Sequence, residues 1–408
     1  MSGSSGVAAG MRWASAFSSL AAADAAAEEA AQALAGTLGA GPAQLAIAFL
    51  GAHHVSSAPA VAEALRRRLA PECLIGVSAH GVITSEHEVE SGPALTVIAA
   101  RLPGVTLHPF VLTTEMWTEA ADDALAFTRA APGVAGAEFV MLFGDPFTLD
   151  VERVLAAFNR HAPGLRVIGG MASAGPKPGT NALLLNDWLA KDGGVGLAFK
   201  GALRADVVVS QGCRPVGPPL EVTRADGNVV IELDGQPALE RAEQVLRALS
   251  PVERERLAHG LYIGRPARRG AEGRGDYLIR NLLGADRDRG LLAIGDRVTE
   301  RERLRIHVRD AGTAQEDLEL LLSPQAFDVP ASAALVFACN GRGRGLYGRP
   351  DGDISILRSS LGEALPAAGM FCAGEIGPVG ERNFLHGHTA CIALIRPGAA
   401  KAQLPPGL

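Results

Sequence analysis

The chain has 408 residues, 48% of them hydrophobic and 20% charged, with a net charge of −6 and a pI near 6.0. Single cores stop growing near ~250–300 residues, so this length predicts two folded domains and argues against a largely disordered chain. The acidic balance gives no electrostatic attraction to nucleic acid or to an anionic bilayer, and no run approaches the ~18–20 apolar residues that cross one.

The cysteines Cys73, Cys213, Cys339, Cys372 and Cys391 are odd in number, widely spread and free of any C-x-x-C pair. That pattern suggests neither a disulfide framework nor a zinc cage, and a reducing cytoplasm fits it. No cofactor or metal is expected. Residues 1–14 open Gly/Ser/Ala-rich without an apolar core and read as a disordered leader, not a secretory signal.

From Ser15 to Leu38 the Ala-rich composition predicts a helix. LAIAFL (Leu45 to Leu50) reads as a strand buried on both faces, followed by a polar loop at His53 and His54. Pro59 marks a helix start, and CLIGV (Cys73 to Val77) is a second apolar run that stops at Ser78-Ala79-His80-Gly81. This grammar returns twice. FVMLF (Phe139 to Phe143) leads through Gly144-Asp145-Pro146 and a helix to LRVIGG and Met171-Ala172-Ser173. ALVFA (Ala334 to Ala338) breaks into Cys339-Asn340-Gly341-Arg342-Gly343-Arg344-Gly345, and a helix over ISILRSSLGEAL leads to Gly369-Met370-Phe371-Cys372. Three β-α-β units with matching turns suggest internal pseudo-repeats. In a parallel sheet their polar loops fall beyond the carboxyl ends of the strands, where open α/β folds bind ligands.

Between these units, ALTVIAARL, TLHPFVL, GVGLAF, ADVVVS and NVVIEL lie too close for intervening helices and look antiparallel. RLRIHVR (Arg303 to Arg309) alternates Leu304, Ile306 and Val308 with polar neighbours, the pattern of a strand with one wet face. The expected fold is therefore mixed α/β in two domains, parallel units plus antiparallel strands. The Gly/Pro-dense stretch Gln211 to Leu220 marks the junction, giving domains over 15–213 and 214–397 and a tail over 398–408. Arg268 to Asp276 reads as a surface loop.

GMFCAGEIGPVGERNFLHGHT (Gly369 to Thr389), with FACNGRG, YLIRNLLGAD and HVRDAGTAQEDL before it, resembles the C-terminal domain of FIST proteins. IGVSAHGVI, LLLND, GGVGLAF and the QGCRPVGPPLEVTRADGNVVIELDGQPALE junction resemble the N-terminal FIST domain and its exit. Many short motifs in one order make the resemblance specific. It implies a small-ligand sensory role, with amino acids the usual suggestion, and a signalling protein partner. In eukaryotes it also implies an F-box that recruits a ubiquitin-ligase core; the leader here is too short for one. An adaptor role is the corresponding alternative.

The candidate ligand site groups Cys339, Asn340, Arg342 and Arg344 with Cys372, Glu375, Asn383 and His386. An amino-acid-like ligand needs an acceptor for its ammonium, which Glu375 offers, and a cation for its carboxylate, which Arg342 offers. The plain alternative is that Asn340 and Glu375 satisfy loop backbone while the arginines face water. His386 and His388 share a face if they lie on one strand, which suits a metal, yet no third ligand has convincing spacing. His53 and His54 fit a solvated loop. Ser78, His80 and Ser173 occupy analogous turns and either contact ligand or cap helices. Neither serine matches the G-x-S-x-G elbow, since His80 and Met171 fill glycine slots. Cys372 as the nucleophile of a hydrolase or transferase needs a lowered pKa and a base such as His386 or His80; a small buried hydrophobe is the commoner fate.

Overall fold

The computed structural model describes residues 10–39, 41–257, 260–268, 270 and 273–398. Residues 1–9 of the expected leader, 399–408 of the expected tail and part of the Arg268–Asp276 loop lie outside the described residues.

The first unit runs β1 (Arg12–Ser18), α1 (Ala23–Leu38), β2 (Leu45–Gly51), α2 (Ala58–Leu69), β3 (Cys73–Ala79), the short β4 (Val82–Ile83) and β5 (Glu88–Val89), then β6 (Leu95–Arg101). The helix expected from Ser15 is thereby corrected, and the leader ends sooner than residue 14. All of β1 pairs with β6 and buries Trp13 and Ala14. Cross-strand pairing outweighs alanine's helix preference there, because propensity is a weak term against packing. The second unit runs β7 (Val105–Leu112), α3 (Thr114–Ala120), α4 (Ala124–Ala130), β8 (Phe139–Gly144), α5 (Val151–His161), β9 (Arg166–Met171), β10 (Leu183–Leu185), β11 (Trp188–Ala190) and β12 (Gly194–Gly201).

The third unit opens with β13 (Leu203–Gln211) and is then interrupted by an insert: β14 (Cys213–Asp226), β15 (Val229–Leu233), β16 (Gln236–Pro237), α6 (Ala238–Ala248), α7 (Pro251–Arg256), β17 (Leu261–Pro266), β18 (Tyr277–Asp286), β19 (Leu291–Ile294) and β20 (Arg303–Arg309). It resumes with α8 (Ala311–Leu322), β21 (Ala333–Cys339), α9 (Arg344–Tyr347), α10 (Gly352–Leu361), β22 (Ala367–Cys372), β23 (Glu375–Val379), β24 (Arg382–His386) and β25 (Thr389–Pro397).

Three six-stranded sheets share one order: β1-β6-β2-β3-β10-β11, β7-β12-β8-β9-β23-β24 and β13-β25-β21-β22-β4-β5. In each, one parallel pair (β2–β3, β8–β9, β21–β22) sits at the centre with antiparallel strands outside it. The last hairpin of every sheet comes from a different unit. Unit one lends β4–β5 to the third sheet, unit two lends β10–β11 to the first, and unit three lends β23–β24 to the second. The exchange closes a ring, so the two halves expected over 15–213 and 214–397 share their sheets.

Equivalent positions repeat faithfully. Gly76, Gly169 and Gly369 stand opposite Ala48, Leu142 and Val336 on the parallel partner. A Cβ at each glycine would lie 2.8, 2.0 and 1.8 Å from that partner's carbonyl oxygen, a distance only glycine accommodates. One residue further on the opposing strands are Phe49, Phe143 and Phe337, fully buried, with ring centroids 5.8, 5.9 and 6.2 Å apart. Such edge-on aromatic packing adds to the burial itself. These rings mark the centre of a core to which all three sheets contribute their inner faces. Outer cores lie between each sheet and its helices, and the insert has a separate core of its own.

The junction stretch Gln211 to Leu220 is mostly strand β14, with a register shift between Val216 and Leu220 where Gly217, Pro218 and Pro219 fall. In β20, Arg303 faces water, but His307 is buried against the Tyr277 ring at 5.1 Å. The wet face is only partial because β20 lies between β14 and β17.

Candidate functional site

The carboxyl ends of β3, β9 and β22 are hydrogen-bonded to one another. The Ser173 N–H donates to the Ser78 carbonyl at 3.2 Å. The Ser173 hydroxyl accepts from the His80 N–H at 2.9 Å and donates to the Phe371 carbonyl at 2.5 Å. Ser78 is fully buried and its hydroxyl accepts from the Ala182 N–H at 2.8 Å. The structure thus gathers Ser78, His80 and Ser173, and spends their polar atoms on joining the three units. Asn383 lies on the edge hairpin of the second sheet: its amide accepts from Val167 N–H and donates to the Leu165 carbonyl, each at 2.8 Å. His386 is buried and bonds the Gly377 carbonyl at 3.0 Å; desolvation pushes its pKa down to about 4, so it is neutral. His388 adopts φ 62° beyond the strand, and no group of metal-ligating side chains is found among the described residues. His54 is buried rather than solvated, while His53 is exposed.

Cys372 is fully buried, and burial raises its thiol well above the usual value, with Glu375 adding to the effect. A thiol so placed is a poor nucleophile. Arg342 is buried too. Its guanidinium grips Asp353 through Nε and Nη2 at 2.7 and 2.6 Å, and the Tyr347 hydroxyl completes the set at 2.8 Å. Arg344 and Asn340 are exposed, and their backbone N–H groups donate to Glu90 and to the Cys372 carbonyl.

What remains open lies where the insert meets this loop. Two chain crossings join insert to body, β13 to β14 at Gly212 and β20 to α8 at Asp310, and the Asp310 N–H donates to the Gly212 carbonyl at 3.3 Å. Beside them is a cleft of about 500 Å3 lined by Glu255, Arg256, Arg309, Asp310, Gly345 and Leu346, among others. Arg309 is half-buried and, among the described residues, has no carboxylate partner; the Tyr262 hydroxyl accepts from it. Its Nη2 approaches Gly341 so closely that a Cβ there would be 2.8 Å away.

Behind the cleft the Cys339 sulfur accepts from the N–H groups of Gly341 and His388, yet burial and Glu375 together push its thiol up to about 11. Cys339 and Cys372 stand in register on adjacent strands. Glu375 is fully buried and accepts from the Thr389 hydroxyl at 2.8 Å, while its Oε1 finds no partner among the described residues. Burial raises it to about 8, so it carries its proton at neutral pH. His388 packs its ring 4.2 Å from that of Tyr262 and is driven down to about 4 by burial, then by Arg309. The cleft thus sets Glu255 and Asp310 beside Arg256 and Arg309, while Glu375 and His388 deeper in are neutral. A second, smaller cleft of about 240 Å3 between α5, β24 and the insert is lined by Arg280, Asp296 and Asn383. A third, of about 430 Å3 beside Phe127 and His161, sits at the opposite end of β8 from the strand-end loops.

Sequence reading missed Arg309 because it closes an alternating strand and looks like one more residue of the wet face. The signal was present in HVRDAGTAQEDL, where it precedes an N-cap aspartate and a helix.

The fold is a three-sheet α/β body built from repeated units, with an inserted antiparallel sheet and a charged cleft at their junction. Residues 44–236 match the FIST N domain and residues 238–378 the FIST C domain. The chain belongs to the FIST family, whose domains are signal-transduction sensory domains. It is 38% identical over 376 residues to an uncharacterized protein of Mycobacterium tuberculosis strain H37Rv, covering 91% of this chain and 95% of the relative. A Mycobacterium bovis protein is 38% identical over 356 residues, covering 86% and 90%. Among solved structures, a cyanuric acid hydrolase from A. caulinodans aligns with 96% of this chain and 100% of its own at 8% identity and a TM-score of 0.37. A second cyanuric acid hydrolase structure covers 95% and 100% at 11% identity and a TM-score of 0.33. No helix among the described residues is long and apolar enough to cross a membrane.

Proposed function

We propose that the chain senses a small ligand, amino acids among the candidates, in the cleft between insert and body, and hands the change to a signalling partner. The observation that carries this reading is Arg309, a half-buried cation with no carboxylate partner among the described residues, at the point where both chain crossings meet. A ligand there touches α7 of the insert on one side and the Gly345–Leu346 loop of the body on the other. It therefore favours one arrangement of insert and body by its differential affinity for the two. Helix α8 begins in the cleft, and the chain at its far end carries Leu320 and Phe327, 66% and 92% exposed, so a shift of its first turn is carried to the surface. A cytoplasmic site of action suits the five free cysteines.

Calorimetry against an amino-acid library, with small-angle scattering of the same samples, tests the reading. Heat of binding with a changed scattering profile is expected; neither signal from any compound removes it. The alternative, a recruiting surface independent of the cleft, draws on exposed Phe327, and a pull-down unchanged by Arg309→Gln would favour it. A Cys372-dependent hydrolase or transferase draws no support from so deeply shielded a thiol.

A further inference from the structure

Exposed apolar side chains gather on one stretch of the third unit. Of the twelve large hydrophobic side chains exposed among the described residues, four fall within ten consecutive positions: Leu320, Leu321, Phe327 and Val329. Scattered single exposures are ordinary, whereas a contiguous group marks a contact surface. Phe327 alone, at 92% exposed, shows most of the ~150–250 Å2 that an aromatic side chain can bury.

The other two units show that the fold does not force this exposure. Between α1 and β2 the connection tucks in Ala43, and between α4 and β8 it tucks in Ala131 and Val134. Between α8 and β21, residues 323–332 are all at least partly exposed. Helix α8 is already held by Leu318 and Leu322 on its inner face, so the outward residues are not needed to seat it.

Carboxylates border the patch. Glu316 lies one helical turn before Leu320 and Glu319 lies beside it, both exposed, and among the described residues neither meets a cation. The Glu319 carboxylate accepts only from the Gln315 amide, at 2.9 Å. The nearby arginines are already engaged: Arg204 bridges Asp206 and Asp328, and Arg358 on neighbouring α10 lies 3.8 Å from Glu363.

We propose that the outer face of α8 and the turn after it dock an amphipathic helix of the signalling partner, with an apolar stripe bordered by lysines or arginines. The proposal rests on the ligand-sensing reading for the partner's role and names the partner's chemistry. The stripe covers Leu320, Phe327 and Val329, and the cations meet Glu316 and Glu319. The same charges disfavour the other occupants. Nucleic acid or an anionic bilayer would face two uncompensated carboxylates, and a second copy packed on this face about a two-fold axis would set Glu316 and Glu319 against their own counterparts.

The full chain is titrated, with anisotropy as the readout, against three fluorescein-labelled peptides of about 18 residues, long enough to hold a helix. One carries leucines on one face and lysines on the other; the second has glutamates for the lysines, and the third has alanines for the leucines. The leucine/lysine peptide is expected to bind on the order of tenfold more tightly than either of the others. Phe327→Asp, at a side chain too exposed to support the fold, keeps the thermal midpoint and weakens that binding on the order of tenfold, although it adds a negative charge that general attraction to a basic peptide would favour. Glu316→Lys combined with Glu319→Lys makes the leucine/glutamate peptide the tighter binder.

Binding unchanged by Phe327→Asp overturns the proposal, as do equal affinities for the lysine and glutamate peptides or no binding by any of the three. Sedimentation of the chain alone is expected to show no association through this face; a dimer that Phe327→Asp dissolves puts a second copy there and overturns it as well. Failure of the sensory reading looks different: peptide preference without any response to the amino-acid library keeps the docking face and removes the sensor, while a library response without peptide preference keeps the sensor and removes the docking face.

Discussion

Cys213 and Arg309 face each other in register across β14 and β20, one residue beyond the points where the chain leaves the body and re-enters it. The insert therefore hangs on two adjacent crossings, pinned by the Gly212 N–H bond to the His388 carbonyl at 2.9 Å. In Gly212→Val the new Cβ meets that carbonyl at 2.8 Å and Arg342 Nη1 at 3.0 Å. Forcing a side chain into so close a site costs about 1–3 kcal/mol. A lowered thermal midpoint and altered insert–body scattering are expected. Gly284→Val in the same insert, where nothing lies within 4 Å of a Cβ, is the control and leaves both unchanged.

The shared core makes a sharper demand. Phe49, Phe143 and Phe337 come from three units and meet at one point. Truncating any one to alanine opens a cavity bordered by all three sheets and is expected to lose about 3–5 kcal/mol in urea unfolding. Because the rings are in contact, Phe49→Ala combined with Phe337→Ala loses less than the sum of the singles. A full sum would mean that the units unfold independently of one another.

Much of this fold was legible. LAIAFL, FVMLF and ALVFA announced three buried strands because strands covered on both faces lose their polar alternation, and the small-residue turns after CLIGV, LRVIGG and GMFC matched one another. The hairpin exchange was not legible, since Val82–Ile83 and Glu88–Val89 are two residues each and short apolar pairs carry no periodicity. The polar turns after two apolar runs singled out Cys339, Arg342 and Glu375, which do lie near one another. They did not distinguish ligand contact from internal pairing, because Asp353, the partner that absorbs Arg342, lies eleven residues on, inside an ordinary helix pattern. Arg309 escaped for the opposite reason: among the described residues only the missing carboxylate distinguishes it, and an absent partner leaves no trace in sequence.

The pairing of Arg342 with Asp353 separates structural from ligand roles. Both side chains are buried, and removing one leaves the other charge uncompensated, which typically costs about 3–5 kcal/mol. Arg342→Met is therefore expected to lower stability strongly. Replacing both partners by apolar residues recovers part of that loss. Arg309→Gln, at a half-buried cation with no carboxylate partner among the described residues, is expected to leave the urea midpoint nearly unchanged while weakening ligand binding. If Arg342→Met proves neutral in urea titrations, the ion pair is not formed in solution.

The buried titratable groups set the pH dependence of stability, and their signs oppose. His307, His386 and His388 are each depressed to about 4 by burial, so below pH ~6.5 the unfolded chain binds protons that the folded chain refuses. Stability rises with pH across that window. Glu88 and Glu375 are raised to about 7 and about 8, chiefly by burial, so the folded chain keeps protons that the unfolded chain has already released above ~4.5. Their contribution falls as pH rises through those values. With three histidines against two carboxyls, the maximum is expected near pH ~6.5, with a decline toward pH ~8 after the histidine contribution is exhausted. Glu375→Gln keeps an acceptor for the Thr389 hydroxyl but no longer buries a charge. It is expected to match the parent near pH ~5 and to exceed it by up to about 4 kcal/mol above pH ~8. Urea midpoints of the two proteins across that range decide the matter: parallel curves would show that Glu375 ionises in the folded chain as readily as in the unfolded one.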